Sequence, residues 1–259
     1  MSGYISFSRL NLYCRCGYQY YLRYILKVIV PRTTPLIMGT GYHSSLQQNH
    51  LQKIDSAVDM PLPELGDFYA SQIEEAFKED VLLTKEQKGQ NKVIVRDDTI
   101  KRGQSALKVY HDEFAPTLMP LEVERAFTVP LADDVPPLYG IIDLVTADMR
   151  VVDHKTASRS PSKGTADSSL QLSAYALGFQ SLYGFLPESL ELQHSVVTEK
   201  GNSKADVQKT VRTPEQLERF VNRVRLVWDG IQKGVFIPPE QGSWACGYCG
   251  YRDTGICRL

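Results

Sequence analysis

The strongest constraint on this chain is a change of period partway along it. Up to about Phe114 apolar residues recur at helical spacing, and from Leu121 onward they alternate. Ser6 and Ser8 are placed to cap a first helix running to about Lys27, with Pro31 and Pro35 beyond its end. A second helix is expected after the turn Met38-Gly39-Thr40-Gly41, carrying His43 in its first turn. Residues 65–83 and 99–114 also have helical spacing, and Pro116 closes the latter. Residues 121–129 then alternate, with Leu121, Val123, Phe127 and Val129 on one face and Glu122 and Glu124 on the other. Residues 138–146 and 149–156 read as two more strands around a tight turn at Ala147-Asp148. A helix over 168–183, strands over 190–198 and 206–212, and a last helix from Pro214 to about Lys233-Gly234 complete the pattern. The expectation is a single α/β domain over 1–259, with a central mixed sheet flanked by helices. It divides into a mainly helical region (1–116), an α/β core (117–213), and a helix with a cysteine-rich tail (214–259).

At 259 residues, 42% hydrophobic and 23% charged, the chain has the usage of an ordinary globular protein, which excludes a disordered tail, a collagen-like fibre and a small disulfide scaffold. No apolar run approaches the ~18–20 residues a membrane helix needs, and no secretory signal is evident. The expected location is the cytoplasm, where five cysteines are reduced thiols or metal ligands. Twenty-nine basic against 30 acidic residues leave a net charge of −1, but the distribution is uneven. Residues 1–54 contain no Asp or Glu, while Arg9, Arg15, Arg23, Lys27, Arg32 and Lys53 are interleaved with Tyr4, Phe7, Tyr13, Tyr18, Tyr20, Tyr21, Tyr24 and Tyr42. Such a stretch suits a polyanion whose bases can stack. It equally suits a tyrosine-rich core whose arginines are solvated.

The densest chemistry lies on the two adjacent strands. Gly140-Ile141-Ile142-Asp143 is followed after nine residues by Asp153-His154-Lys155. Strand alternation points Asp153 and Lys155 the same way, and the short turn brings Asp143 alongside. Two carboxylates beside an ammonium make a site for a hard cation such as Mg²⁺ or Mn²⁺, with Lys155 placed to orient water or stabilise developing negative charge. A plain surface ion pair is the simpler reading of these residues taken alone. Glu124 lies on the preceding strand, and Gln171 and Tyr175 stand one helical turn apart on the helix that follows the sheet. The side chain of His154 is expected to point away from Asp153 and Lys155.

The cysteines form a second signal. Cys246, Cys249 and Cys257 form a C-x₂-C-x₇-C tail, and Cys14 and Cys16 lie at the opposite end of the chain. Four thiolates drawn from the two termini can close a tetrahedral site for zinc or an iron–sulfur cluster, and spacing alone does not choose between them.

Taken in order, Gly39 to His43, Gly140 to Asp143, Asp153 to Thr156 and Gln171 to Tyr175 resemble the motifs Gly-x-x-x-His, Gly-x-x-Asp, Asp-x-Lys-Thr and Gln-Leu-x-x-Tyr of the RecB-like branch of the PD-(D/E)XK nuclease superfamily. Ile142 stands where the superfamily's name has proline. The resemblance implies that His43, Asp143 and Asp153 are metal ligands, with the backbone carbonyl of His154 adding another. It implies that Lys155 is the catalytic lysine, that Gln171 and Tyr175 line the site, and that Glu124 fills a less regular acidic position. The cysteine frame resembles the iron–sulfur-containing nucleases of the AddB and CRISPR-associated types. That implies a [4Fe–4S] cluster on Cys16, Cys246, Cys249 and Cys257, stapling the two ends of the chain, with Tyr20 and Tyr24 at the expected +4 and +8 aromatic positions. Gly17 replaces a usual proline, Cys14 is the alternative N-terminal ligand, and zinc is the alternative metal.

The function so implied is a metal-dependent deoxyribonuclease, an exonuclease acting on single-stranded DNA or DNA ends, with endonuclease activity also open. A helicase or another recombination or CRISPR protein is the expected partner, since no Walker-type glycine loop occurs here. The alternative is a catalytically silent DNA-binding or assembly module that keeps the nuclease fold.

Overall fold

The computed structural model describes residues 3–247 and 249–259. Strand β1 (Ile5–Ser6) leads into helix α1 (Phe7–Arg15), where Ser6 Oγ accepts from the Arg9 N–H. The helix expected to reach Lys27 instead breaks at Cys16, whose backbone is extended. The break makes room for the far end of the chain. A Cβ on Gly17 would stand 2.7 Å from the Ile237 nitrogen, and the Gly17 N–H donates to the Ile237 carbonyl at 2.9 Å. The Cys16 sulfur then caps α2 (Gly17–Tyr20) by accepting from the Gln19 N–H at 3.2 Å, and the helix ends in a widened π turn, Tyr21–Ile25.

After β2 (Arg32–Thr33), helix α3 (Thr34–Ser56) begins earlier than expected, with Pro35 in its first turn. His43 is therefore in the third turn, and Gly39 and Gly41 lie inside the helix rather than in a preceding loop. Gly41 serves packing: a Cβ there would meet Tyr69 and Ile73 of α4 (Leu62–Ala76) at 3.0 Å. The helix expected to run to residue 83 stops at Ala76, because β3 (Val81–Leu82) pairs in parallel with β2. Helix α5 (Lys92–Val109), capped by Asn91, continues through a π turn, Tyr110–Phe114, into a 3₁₀ turn, Ala115–Thr117.

Strands β4 (Pro120–Val129), β5 (Leu138–Thr146) and β6 (Arg150–Ala157) follow, then α6 (Thr165–Ser168), α7 (Leu170–Tyr183), β7 (Ser189–Val197), β8 (Ser203–Thr210), α8 (Pro214–Gln232), α9 (Trp244–Gly247) and α10 (Gly250–Asp253). Five strands run in the order β1-β5-β6-β7-β8, and β4 completes the six-stranded mixed sheet on the other edge of β5. One side of the sheet packs on α1, α7 and α8 through residues such as Leu10, Phe127, Val151, Leu172 and Phe220. The other side packs on α3, α4 and α5 through Leu46, Tyr69, Leu107, Leu144 and Val152. The result is the expected three-layer α/β/α arrangement. Among the described residues no helix is long and apolar enough to cross a membrane.

The simple alternation expected of β4 does not hold along its length. Phe127 packs in the α7 layer, whereas Val123 packs in the α3–α5 layer. Strand β5 changes layer in the same way between Ile142 and Leu144. Between these points Glu124 adopts a left-handed backbone, φ 50°, which breaks the pleat and turns the following side chains over.

Candidate active site

Strand β5 is flanked on one edge by β4 throughout. On its other edge it meets β1 at Leu138–Tyr139 and β6 at Leu144–Val145, leaving residues 140–143 unpaired on that side. The register Leu144↔Val152 and Val145↔Val151, carried one step further, sets Asp143 opposite Asp153 where the two strands part. Across β4, the register that joins Val123 to Leu144 and Arg125 to Ile142 brings Glu124 beside Asp143. Three carboxylates thus meet at one splayed seam in the sheet.

The glycine that opens this segment of β5 is required by its neighbour. A Cβ on Gly140 would lie 2.4 Å from the ring of Phe127, its cross-strand partner, and a Cβ on Gly178 of α7 would lie 2.5 Å from the same ring. Phe127 is thus seated between two bare backbones, which lets α7 approach the sheet closely enough for its polar side chains to reach the acids.

Those contacts are specific. Tyr175 donates its hydroxyl to Asp143 Oδ1 at 2.9 Å, and Gln171 Nε2 donates to the Tyr175 oxygen at 2.9 Å and to Asp153 Oδ1 at 3.3 Å. Lys155 Nζ donates to Asp153 Oδ1 at 2.8 Å. From the opposite layer, His43 Nδ1 lies 3.2 Å from Asp143 Oδ2, an ion-pair distance without hydrogen-bond alignment. Asp153 is fully buried, whereas Lys155 and His43 keep about a third of their side chains exposed, 35% and 32%. The cluster therefore opens to solvent on its cationic side.

The electrostatics follow from that burial. For Asp143 burial opposes ionisation, but His43, Lys155 and Asp153 outweigh it and hold the carboxyl far below the usual range. Burial pushes Asp153 up, with Lys155 pulling it down and the Asp143 charge pushing further up. Burial opposes the Lys155 ammonium, yet Asp153 and Asp143 raise it above its ordinary value; His43 is raised against burial by Asp143. Burial and then Asp143 raise Glu124. The pair of acids thus favours one extra positive charge, whether proton, ammonium or metal.

Two buried oxygens, Asp143 Oδ2 and Asp153 Oδ2, accept no hydrogen bond. Paired carboxylate oxygens with spare acceptor capacity and no donor fit a hard, oxygen-seeking cation such as Mg²⁺ or Mn²⁺. Among the described residues no three His, Cys, Asp or Glu side chains stand at coordination geometry.

His154 points to the other side of β6, as expected. It is buried against His50 and Tyr110, at ring-centroid distances of 5.3 and 5.5 Å, and burial holds its pKa well below the ordinary value. His50 was not singled out by the sequence, although it lies two turns beyond His43 on the same helix face, a spacing that could have flagged it.

The cysteines gather elsewhere. Cys249 forms a small cluster of its own with Leu22 and Tyr251, against which Cys257, Tyr18, Val28 and Val30 pack. Cys16 is raised first by burial and also by its proximity to Cys249 and Cys246. Cys14 is exposed and lies by Tyr13 and Arg223. The four-thiol set expected from the sequence is brought to one region, but not to ligating geometry among the described residues.

The mixed sheet thus carries a seam of acids beside a lysine where β5 and β6 part. The sequence profile of the PD-(D/E)XK nuclease superfamily matches residues 4–258, and the chain belongs to that superfamily, whose members typically use Mg²⁺ or Mn²⁺. A search of curated protein sequences finds no match. Among solved structures, a protein from Eubacterium rectale provisionally described as an exonuclease superposes with a TM-score of 0.56 at 14% identity, covering 95% of this chain and 87% of its own. That likeness shows a shared fold. SSO0001 aligns over 97% of this chain and 94% of its own at 14% identity, with a TM-score of 0.35.

Proposed function

We propose that this chain is a metal-dependent deoxyribonuclease that hydrolyses phosphodiester bonds, with a preference for single-stranded DNA entered from an end. The observation that carries the reading is the pair of buried, donor-free carboxylate oxygens on Asp143 and Asp153 beside the Lys155 ammonium. His43, Asp143, Asp153 and the His154 carbonyl are the residues that would hold Mg²⁺ or Mn²⁺. A cation there would supply charge neutralisation for the phosphate under attack.

The chain's own residues do the rest. Lys155, partly open to solvent, presents its ammonium to the side from which substrate enters, where it can donate to a nonbridging phosphate oxygen or orient the attacking water. Tyr175 and Gln171 fix one oxygen of each acid and leave the other free, so the two carboxylates present a set face. Hydrolysis forms a bond from the water oxygen to phosphorus and breaks the bond to one ester oxygen, which leaves with a proton. The acid-free composition of residues 1–54, with its interleaved arginines and tyrosines, is what supports a single-stranded substrate, while Tyr20 and Tyr42 of that stretch are buried in the core.

We also assign Cys16, Cys246, Cys249 and Cys257 to a structural [4Fe–4S] cluster. Its support is the convergence of these thiols from both ends of the chain, with Cys14 left at the surface.

The test of the nuclease reading is cleavage of end-labelled single- and double-stranded DNA with Mg²⁺ or Mn²⁺, comparing wild type with Lys155→Ala. Metal-dependent cleavage that the variant lacks supports the enzyme, and 5′ against 3′ labels give polarity. An intact wild type that binds DNA without cutting it would replace this reading with the silent assembly module.

A further inference from the structure

Between β8 and α8, Arg212 is 6% exposed, and no carboxylate pairs with it directly. All five of its N–H groups are nonetheless used. Nε donates to Ser173 Oγ at 2.9 Å, Nη1 to Thr210 Oγ1 at 3.0 Å and to the Val211 carbonyl at 2.9 Å, and Nη2 to the carbonyls of Ala166 at 2.8 Å and Ser169 at 3.0 Å. Three of these acceptors belong to the junction where α6 ends and α7 begins. Ser169 is the α7 N-cap, its Oγ accepting from the Leu172 N–H, and Ser173 lies one turn into the helix. Burying an arginine on neutral oxygens is costly, and burial lowers its pKa; Asp167, which accepts from Thr210 Oγ1 at 2.7 Å, opposes that shift without touching the guanidinium. A neutral side chain would be the cheaper way merely to fill this space.

What the junction carries explains the cost. Gln171 and Tyr175 lie in the first turn and a half of α7, and the 3.3 Å contact from Gln171 to Asp153 tolerates little displacement. We infer that Arg212 is a positioning residue of the active site: its five-bond clamp sets the start of α7 so that Gln171 and Tyr175 hold the Asp143–Asp153 pair. This inference rests on the nuclease reading of that site, and it extends the functional set to a residue on the opposite side of α7.

The test is a double-mutant cycle with Arg212→Lys and Gln171→Ala in the full-length protein, read in two ways. The first is the single-turnover cleavage rate at saturating DNA. The second is the Mn²⁺ dissociation constant by calorimetry, which needs no activity. A misplaced first turn should lower the rate roughly tenfold or more, because errors on the order of 1 Å suffice for losses of that size. Mn²⁺ binding should weaken by a comparable factor, with the apparent KM for DNA unchanged to within about twofold. In the Gln171→Ala background, Arg212→Lys should have a clearly smaller effect on both quantities than in the wild type, with the remainder carried by Tyr175. Independent, multiplying effects, or a lowered melting temperature with unchanged Mn²⁺ affinity, would overturn the inference and leave Arg212 a purely structural clamp. If Arg212→Lys does not fold, Ser173→Ala, which removes one bond of the clamp, takes its place in the same cycle. Were the wild type to bind Mn²⁺ without cleaving DNA, the nuclease reading would fail, while the Mn²⁺ arm would still decide the role of Arg212.

Discussion

His50 should make the protein sensitive to mild acid, and the size of the effect can be worked from its surroundings. The imidazole is 2% exposed, sits between Tyr110 and His154, and its Nε2 has no hydrogen-bond partner. Burial, with Lys53 adding to it and Asp59 opposing it, lowers the pKa from 6.5 to about 4. A histidine depressed in the folded state takes up its proton more readily on unfolding. Its contribution is therefore fully present above pH 6.5 and is lost as pH falls toward 4. Two and a half pH units at about 1.4 kcal/mol each set a ceiling of about 3.5 kcal/mol, of which roughly 3 kcal/mol is lost by pH 4, where the folded imidazole is half protonated. His50→Phe keeps an aromatic ring in the same packing and removes the titration. Urea unfolding at pH 7, 6, 5 and 4 should show the wild type losing stability with falling pH more steeply than the variant. The difference between the two curves should change by roughly 3 kcal/mol over that range. Parallel curves would refute the reasoning, because they would mean that His50 is hydrated or already charged in the folded state.

The remaining expectations concern packing and the cysteines. Gly140→Ala or Gly178→Ala forces a methyl group into the Phe127 ring and should cost about 1–3 kcal/mol each; in either background Phe127→Leu should recover part of the loss in thermal melts. On the proposed cluster the purified protein should be brown, and Cys249→Ser, at a position 7% exposed, should remove that colour and lower the melting temperature by several degrees or more; a colourless wild type, or unchanged colour and stability in the variant, would refute the cluster.

The sheet was legible in the sequence because its signals are local. The strands over 138–146 and 149–156, the turn at Ala147-Asp148 and the Asp153/Lys155 pair each need only neighbouring residues to be read, and the acids, lysine, glutamine and tyrosine picked out in this way lie together in the structure. What escaped it depends on distant partners. The break at Cys16 is imposed by Ile237 from the far end of the chain. Gly39 and Gly41 look like a turn, yet Gly41 is a contact surface for Tyr69 and Ile73, and the helix runs through both. His50 is an ordinary polar residue in the sequence until His154 is set against it, and Arg212 is one more solvated arginine until five oxygens are found around it.

The layer switch at Glu124 and Asp143 shows why these missed details matter for the site. In a regular strand Asp143 would face one helical layer only, buried under it or left in water beside it. With β4 turned over at Glu124 and β5 changing layers between Ile142 and Leu144, Asp143 stands at the seam between the two. His43 then reaches its Oδ2 from α3 in one layer, and Tyr175 reaches its Oδ1 from α7 in the other. A carboxylate held from both sides keeps a fixed direction, while its Oδ2, at ion-pair distance from His43, accepts no hydrogen bond. The irregularity that breaks the alternation is therefore what places a rigid, cation-seeking acid where both layers meet.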